Sequence, residues 1–278
     1  MPEHEVFGRK HPVGGRPELR GRQNIIMTEW GPWDHATPLM RLVKSTGGTA
    51  SFEVLKVPAA DVRVETVGDH VRGVLAAVPG KADDSQITVS ATEPGVRPYL
   101  LKVRAAGKPL AEMKGTLLAA EWQATFFKWP TNADPRTDLD RYRKLAEGPT
   151  AVSAQLDELS LRYGMRGPSE LGISEEVTAA KFGRDHFGMI ARARLPLAKG
   201  TWELSTLSDD GVRVSVDGKP VIENWAWHGP TRDSGTLELA TDKTVDIEVE
   251  HFQIDGYAVL EFSLSRPAEP APAKPTSQ

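Results

Sequence analysis

The chain has 278 residues, 34 basic against 38 acidic side chains and a formal net charge of −4, a length that suits about two domains. No basic run is interleaved with aromatics and no apolar stretch approaches the length of a membrane helix, so neither nucleic acid binding nor membrane insertion is expected. Cysteine is absent, which removes disulfides, cysteine nucleophiles and thiolate metal sites together.

The 25 Gly and 21 Pro, spread between short alternating segments, point to a mainly β protein rich in turns. Residues 1–21 are rich in Gly, Pro, Arg and His without periodicity and read as an extended lead-in; they hold no apolar core of the kind a signal peptide needs. Residues 22–38 place a short apolar strand, Asn24–Met27, before the aromatic turn Trp30-Gly31-Pro32-Trp33, which Glu29 and Asp34 flank. From Leu39 to Trp129 the pattern is one of repeated short strands: Leu39–Lys44, Ala50–Val57, Val62–Val67, Val71–Ala77, Gln86–Ala91, Arg97–Ala105, Met113–Leu118 and Trp122–Lys128. Turn signals such as Thr46-Gly47-Gly48 and Pro79-Gly80 separate them. That spacing predicts an immunoglobulin-like β-sandwich over residues 22–129.

Residues 130–153 read as a linker. Within it Asp138–Glu147 puts Leu139, Tyr142 and Leu145 on one helical stripe, with Thr137 or Asp138 as N-cap and Gly148 as the stop. This helix is expected to pack as a spacer between two β-domains. The second domain, residues 154–267, is expected to open with a strand over Leu156–Tyr163 and an irregular excursion over Ser169–Gly183. Met189–Leu197 then leads to its most ordered stretch, GTWELSTLSDDGVRVSVDGKPVIENWAWHGP over Gly200–Pro230. There Val212, Val214 and Val216 alternate inward, and Asp217-Gly218 forms a two-residue turn because both residues tolerate positive φ. Strands follow at Gly235–Ala240, Thr244–Phe252 and Tyr257–Ser265, with Val245, Ile247 and Val249 inward and Asp246, Glu248 and Glu250 outward. Residues 268–278 form a Pro/Ala-rich tail that cannot build a core.

The run LSTLSDDGVRVSVDGKPVIENWAWHGP resembles the core of the PA14 family: a strand, Ser-Asp-Asp-Gly, a Val alternation, Asp-Gly, then Val-Ile-Glu-Asn-Trp. Lys243–Phe262 resembles that family's closing hairpin, and the resemblance spans roughly Ala154 to Pro267. It implies a PA14-like β-sandwich or barrel in the C-terminal half. In sugar-binding members of the family the paired aspartates hold Ca²⁺, often across a cis peptide bond, and two sugar hydroxyls ligate the same ion. Carried over, this makes Asp209, Asp210 and Asp255 the metal ligands, with the amide of Gln253 as an alternative to Asp255. Trp227, His228 and Tyr257 become the sugar-contacting rim; Trp225, where the strand alternation buries a side chain, reads as a core residue. The departure at residues 253–257, where those lectins commonly place an asparagine, bears on calcium. Residues 22–38, with Phe126-Phe127-Lys128-Trp129, also resemble a region that follows a right-handed β-helix in secreted bacterial proteins. That second resemblance implies an upstream domain and an extracellular or cell-surface setting.

Three functional classes follow. The first is a non-catalytic module recognising carbohydrate or cell-surface glycan, with Ca²⁺. The second is a structural spacer or docking unit, in whose acidic loop one aspartate bonds neighbouring backbone N–H groups in an Asx-turn and the other pairs with Arg213 or another cation. The third is a glycan-active enzyme using the carboxylates Glu29 and Asp34. His186, His228 and His251 match no zinc spacing, and His251, on an inward strand position, reads as a hydrogen-bonded core histidine.

Overall fold

The computed structural model describes residues 39–267 and the backbone of Gln23–Asn24. All its sheets are antiparallel and open, and none closes into a barrel among the described residues. The strands are β1 (Gln23–Asn24), β2 (Leu39–Thr46), β3 (Thr49–Leu55), β4 (Val62–Val67), β5 (Val71–Val78), β6 (Lys81–Ala91), β7 (Gly95–Ala105), β8 (Lys108–Ala119) and β9 (Trp122–Lys128) in the first half. The second half holds β10 (Val152–Leu156), β11 (Ser160–Gly164), β12 (Phe187–Leu197), β13 (Gly200–Asp209), β14 (Val212–Val216), β15 (Lys219–Asn224), β16 (Thr231–Leu239), β17 (Lys243–Gln253) and β18 (Ala258–Ser265), with helices α1 (Leu139–Ala146) and α2 (Glu175–Ala179).

The first sandwich pairs β2-β3-β6-β5 in one sheet and β1-β8-β7-β4 in the other. Lettering β2 to β8 as A to G gives A-B-E-D facing G-F-C, the strand order of immunoglobulin constant-type sandwiches. Period-two alternation drives it. Ala50, Phe52 and Val54 of β3, Ile87 and Val89 of β6, and Leu101 and Val103 of β7 point into one core.

The boundary after this sandwich differs from the sequence expectation of 129. β9 leaves the first sandwich after only Ala120 and Glu121 and pairs with β10 and β12 instead. It is an inner strand of the six-stranded sheet β10-β9-β12-β17-β14-β15, which packs on the four-stranded sheet β11-β18-β13-β16. Trp122, Phe126, Phe187, Met189, Leu204, Val214 and Phe262 lie in their shared core. The expected single strand over Leu156–Tyr163 is two strands in different sheets, β10 and β11. Asp157–Leu159 turns the chain between them.

Helix α1 does not sit between the domains. Asp138 caps it by accepting the Arg141 amide at 2.9 Å, and it lies on the outer face of the six-stranded sheet. There Tyr142 donates its hydroxyl to the His251 carbonyl at 2.5 Å and packs edge-on to Phe127 and Trp225. Glu250, expected to face solvent, is 1 % exposed beneath the helix and receives Arg143 at 2.7 and 2.8 Å. Ser215, between the inward-facing Val214 and Val216, is buried as well.

The two sandwiches meet at a tight joint. The β2–β3 turn reaches the Asp157–Leu159 turn, and the Gly47 amide donates to Glu158 at 3.0 Å. Gly47 has φ of +50°, and a Cβ there would lie 2.2 Å from the Asp157 carbonyl oxygen. Only glycine satisfies both the left-handed backbone and the close approach.

Candidate functional site

One end of the second sandwich gathers β9, β11, β13, β15 and β17 as they finish and β12, β14, β16 and β18 as they begin. The carboxylates stand at this end. Asp209 closes β13 and Asp210 follows it through a cis peptide bond. Gly211 completes the turn because a side chain there would clash with the Phe252 ring, with a Cβ 2.2 Å from it.

The polar atoms of the Asp209–Asp210 peptide are gripped by β17 from below. His251 donates through Nε2 to the Asp209 carbonyl at 3.1 Å, and the Asp210 amide donates to Gln253 Oε1 at 3.0 Å. The period-two register that buries Val245, Ile247 and Val249 also turns His251 and Gln253 inward, and both are 0 % exposed. Gln253 then donates its amide hydrogens to the carbonyls of Asp255 and Tyr257 at 2.5 and 3.0 Å. The amide of Gln253, one of the two alternatives for a metal ligand, is engaged on all sides as a brace between two loops.

The two aspartates do different work. Asp210 is 1 % exposed; its Oδ1 accepts the His228 amide at 3.2 Å and its Oδ2 the Ile254 amide at 2.7 Å. Burial raises its pKa, and these two N–H bonds hold the rise in check. Asp209 is 5 % exposed, and its carboxylate has no hydrogen-bond or ion-pair partner among the described residues. Burial first, then the like charges of Asp210 and Asp255, push its pKa up to about 6. Arg213 holds neither aspartate: it pairs with Glu223 at 3.1 Å, so the loop is fixed by backbone amides and not by that cation.

The rim residues divide too. Trp227 is 60 % exposed and Tyr257 46 %. Each belongs to a segment tied to Asp210, Trp227 next to His228 and Tyr257 through Gln253. Trp225 is half-buried, donates Nε1 to the Pro135 carbonyl at 2.8 Å and packs edge-on to Phe252. His228 is a wall rather than an exposed rim. Its Nδ1 donates to the Gly229 carbonyl at 2.8 Å, and Nε2 is buried with no hydrogen-bond partner. Asp255 is exposed on the far loop, near enough for its charge to raise both aspartates. His251 is a core histidine, its pKa lowered by burial to about 4. Among the described residues no three His, Asp or Glu side chains converge as a ready-made metal cage, which includes His186, His228 and His251. Glu29, Asp34 and the Trp30–Trp33 turn lie outside the described residues.

The family comparison falls on this same half. The PA14 domain family model matches residues 170–277. The anti-sigma-I factor RsgI3 of Acetivibrio thermocellus is 31% identical over 83 residues, covering 30% of this chain and 13% of that protein. The chain thus spans a small fraction of that relative. Among solved structures, the PA14 sugar-binding domain from an RTX adhesin is similar at 15% identity and a TM-score of 0.38, over 53% of this chain and 89% of that one. An anti-sigma factor domain-containing protein from Clostridium clariflavum is similar at 10% identity and a TM-score of 0.35, over 84% of this chain and 87% of that one. No helix among the described residues is long and apolar enough to cross a membrane. The family-model match and the Ser-Asp-Asp-Gly turn that it spans identify the C-terminal part of this chain as a PA14 domain.

Proposed function

We propose that the chain is a non-catalytic carbohydrate-recognition module of an extracellular or cell-surface protein, binding sugar hydroxyls at Asp209 and Asp210 with Ca²⁺. The observation that carries this reading is the Asp209 carboxylate, on a residue only 5 % exposed, without a hydrogen-bond or ion-pair partner among the described residues and beside a second carboxylate. A fold gains no stability from such a group, and strongly perturbed acids in a mouth are the mark of a ligand site.

The donor set suits a hard cation. Asp209 offers two free oxygens, Asp210 keeps lone pairs beyond its two N–H bonds, and Asp255 presents an exposed carboxylate from the opposite loop, the remaining ligands coming from solvent and sugar. When bound, Ca²⁺ would neutralise the paired charges and leave coordination positions for two neighbouring hydroxyls of one sugar ring. The chain's own part is to hold the carboxylates still through His251 and Gln253, and to present Trp227 and Tyr257 for stacking on the sugar's apolar face.

A second reading, a rigid spacer or docking unit, is favoured by the tight joint at Gly47 and Glu158. A glycan array separates the two. Under the first reading, saccharide binding by the whole chain disappears with a chelator and in Asp209→Asn, while the melting temperature of the variant does not fall. Absence of saccharide binding at millimolar Ca²⁺, or a variant that binds as the wild type does, contradicts it and leaves the spacer.

A further inference from the structure

Beside the acidic mouth the fold assembles a cluster of cations that are far apart in sequence. Lys128 ends β9, Arg166 follows β11, and Lys181 follows α2, each exposed. Lys128 places its ammonium 5.7 Å from the centroid of Phe182, the residue after Lys181. Gly167, the residue after Arg166, lies so close to the Phe182–Gly183 backbone that a Cβ would stand 2.2 Å from the Gly183 carbonyl oxygen. The three cationic residues therefore border one stretch of chain, residues 181–183. None has a carboxylate partner among the described residues, whereas the neighbouring Arg184 is paired with Asp185 at 3.3 Å.

This flank adjoins the sugar-binding mouth proposed above. The His186 amide donates to the Ile254 carbonyl at 3.1 Å, and the His186 carbonyl accepts the Trp129 amide at 3.0 Å. Ile254 in turn donates its own amide to Asp210 at 2.7 Å. A path of directly bonded residues thus runs from the carboxylates through Ile254 and His186 to Trp129, the residue after Lys128.

We infer that the ligand is an acidic polysaccharide, a chain bearing carboxylate or sulfate groups, which sets hydroxyls on the Asp209–Asp210 mouth and a neighbouring anionic group on Lys128, Arg166 and Lys181. The inference rests on the preceding reading for its choice of a saccharide. Charge complementarity decides the class. A flat phosphatidylserine bilayer offers the flank its anionic groups but brings no neighbouring ring hydroxyls to the Asp209–Asp210 mouth. An acidic polypeptide offers the flank its charges but brings no paired hydroxyls to the mouth. A polymer that alternates hydroxyl and anionic groups suits both.

The test measures binding of the whole chain to oligosaccharides of alginate, polygalacturonate and hyaluronan, each beside its carboxylate-reduced form. Three variants are compared: Lys128→Gln/Arg166→Gln/Lys181→Gln, the charge-keeping Lys128→Arg/Arg166→Lys/Lys181→Arg, and Asp209→Asn. The expected result is a preference of about tenfold for at least one acidic chain, equal to about 1.4 kcal/mol. That preference weakens with salt, is lost in the Gln variant and is kept in the charge-keeping one. Equal binding of acidic and reduced chains, or an unchanged preference in the Gln variant, overturns the inference. Equally tight binding to phosphatidylserine vesicles also overturns it, in favour of a membrane surface. Acidic-chain binding that survives Asp209→Asn but not the Gln variant supports the flank while sinking the role given to Asp209.

Discussion

Asp209 sits in surroundings that favour its protonated form, and the sign of the resulting pH dependence is fixed. Its pKa is about 6 in the folded chain against 3.8 in the reference state. Between those values the folded chain holds the proton more tightly, so acidification through pH 6 stabilises and alkalinisation destabilises. Asp209→Asn removes the ionised form, so at pH 7.5 without calcium it should raise the melting temperature by about 2–4 °C. The gain should shrink as the pH falls below 6, and thermal melts at both pH values check this; a variant that melts lower at pH 7.5 would contradict it. His251 works in the opposite direction over an overlapping range. With a folded pKa of about 4 against 6.5, it draws protons to the unfolded chain and costs stability as the pH falls below 6.5. Asp210 behaves as a structural acceptor. In Asp210→Asn one backbone amide faces an NH₂ group instead of an oxygen, a loss of about 1–3 kcal/mol measurable by denaturant unfolding. Sequence alone made the two aspartates equivalent. What separates them is the approach of His228 and Ile254, residues 18 and 44 positions away, which no local pattern encodes.

Among the elements, β17 and α1 carry the most consequence. Alternation along Lys243–Gln253 is legible as a strand with Val245, Ile247 and Val249 inward, and the same parity places His251 and Gln253 below the carboxylates. The outer parity misleads at Glu250, because a helix from a separate stretch of chain covers it. Arg143 satisfies that buried carboxylate through two bonds, so Arg143→Ala should cost about 3 kcal/mol by leaving the charge unpaired. Arg143→Ala/Glu250→Gln should recover much of that loss. A cost within experimental error for the single variant would show that α1 does not depend on the pair. Helix α1 was readable from its N-cap and apolar stripe, but its docking face was not, since Tyr142 finds its partners in β9, β12 and β17.

Across the whole molecule, the two sandwiches share a strand-to-strand passage of two residues and a joint that admits only glycine at position 47. Eight strands over residues 39–129 were legible from turn spacing, yet the membership of β9 was not. Trp122–Lys128 has the same alternation whichever sheet it joins, and its six-stranded sheet is completed by residues far downstream. A fragment beginning at Ala154 therefore loses an inner strand with Trp122 and Phe126, aromatic side chains whose removal costs about 3–5 kcal/mol each. It should fail to give a cooperative melt, whereas the whole chain should unfold in one calorimetric transition. Two separated transitions, or a well-folded fragment, would refute this coupling. The same integration means that ligand binding is measured on the whole chain. The most direct measurement is a calorimetric titration of Ca²⁺ into the whole chain at pH 7.5, beside Asp209→Asn. The predicted result is saturable one-site binding in the range of extracellular calcium modules, about 10⁻⁴–10⁻³ M, absent from the variant. Absence of saturable heat at millimolar Ca²⁺, or indistinguishable isotherms for the two proteins, would contradict the assignment of Asp209 as the centre of the site.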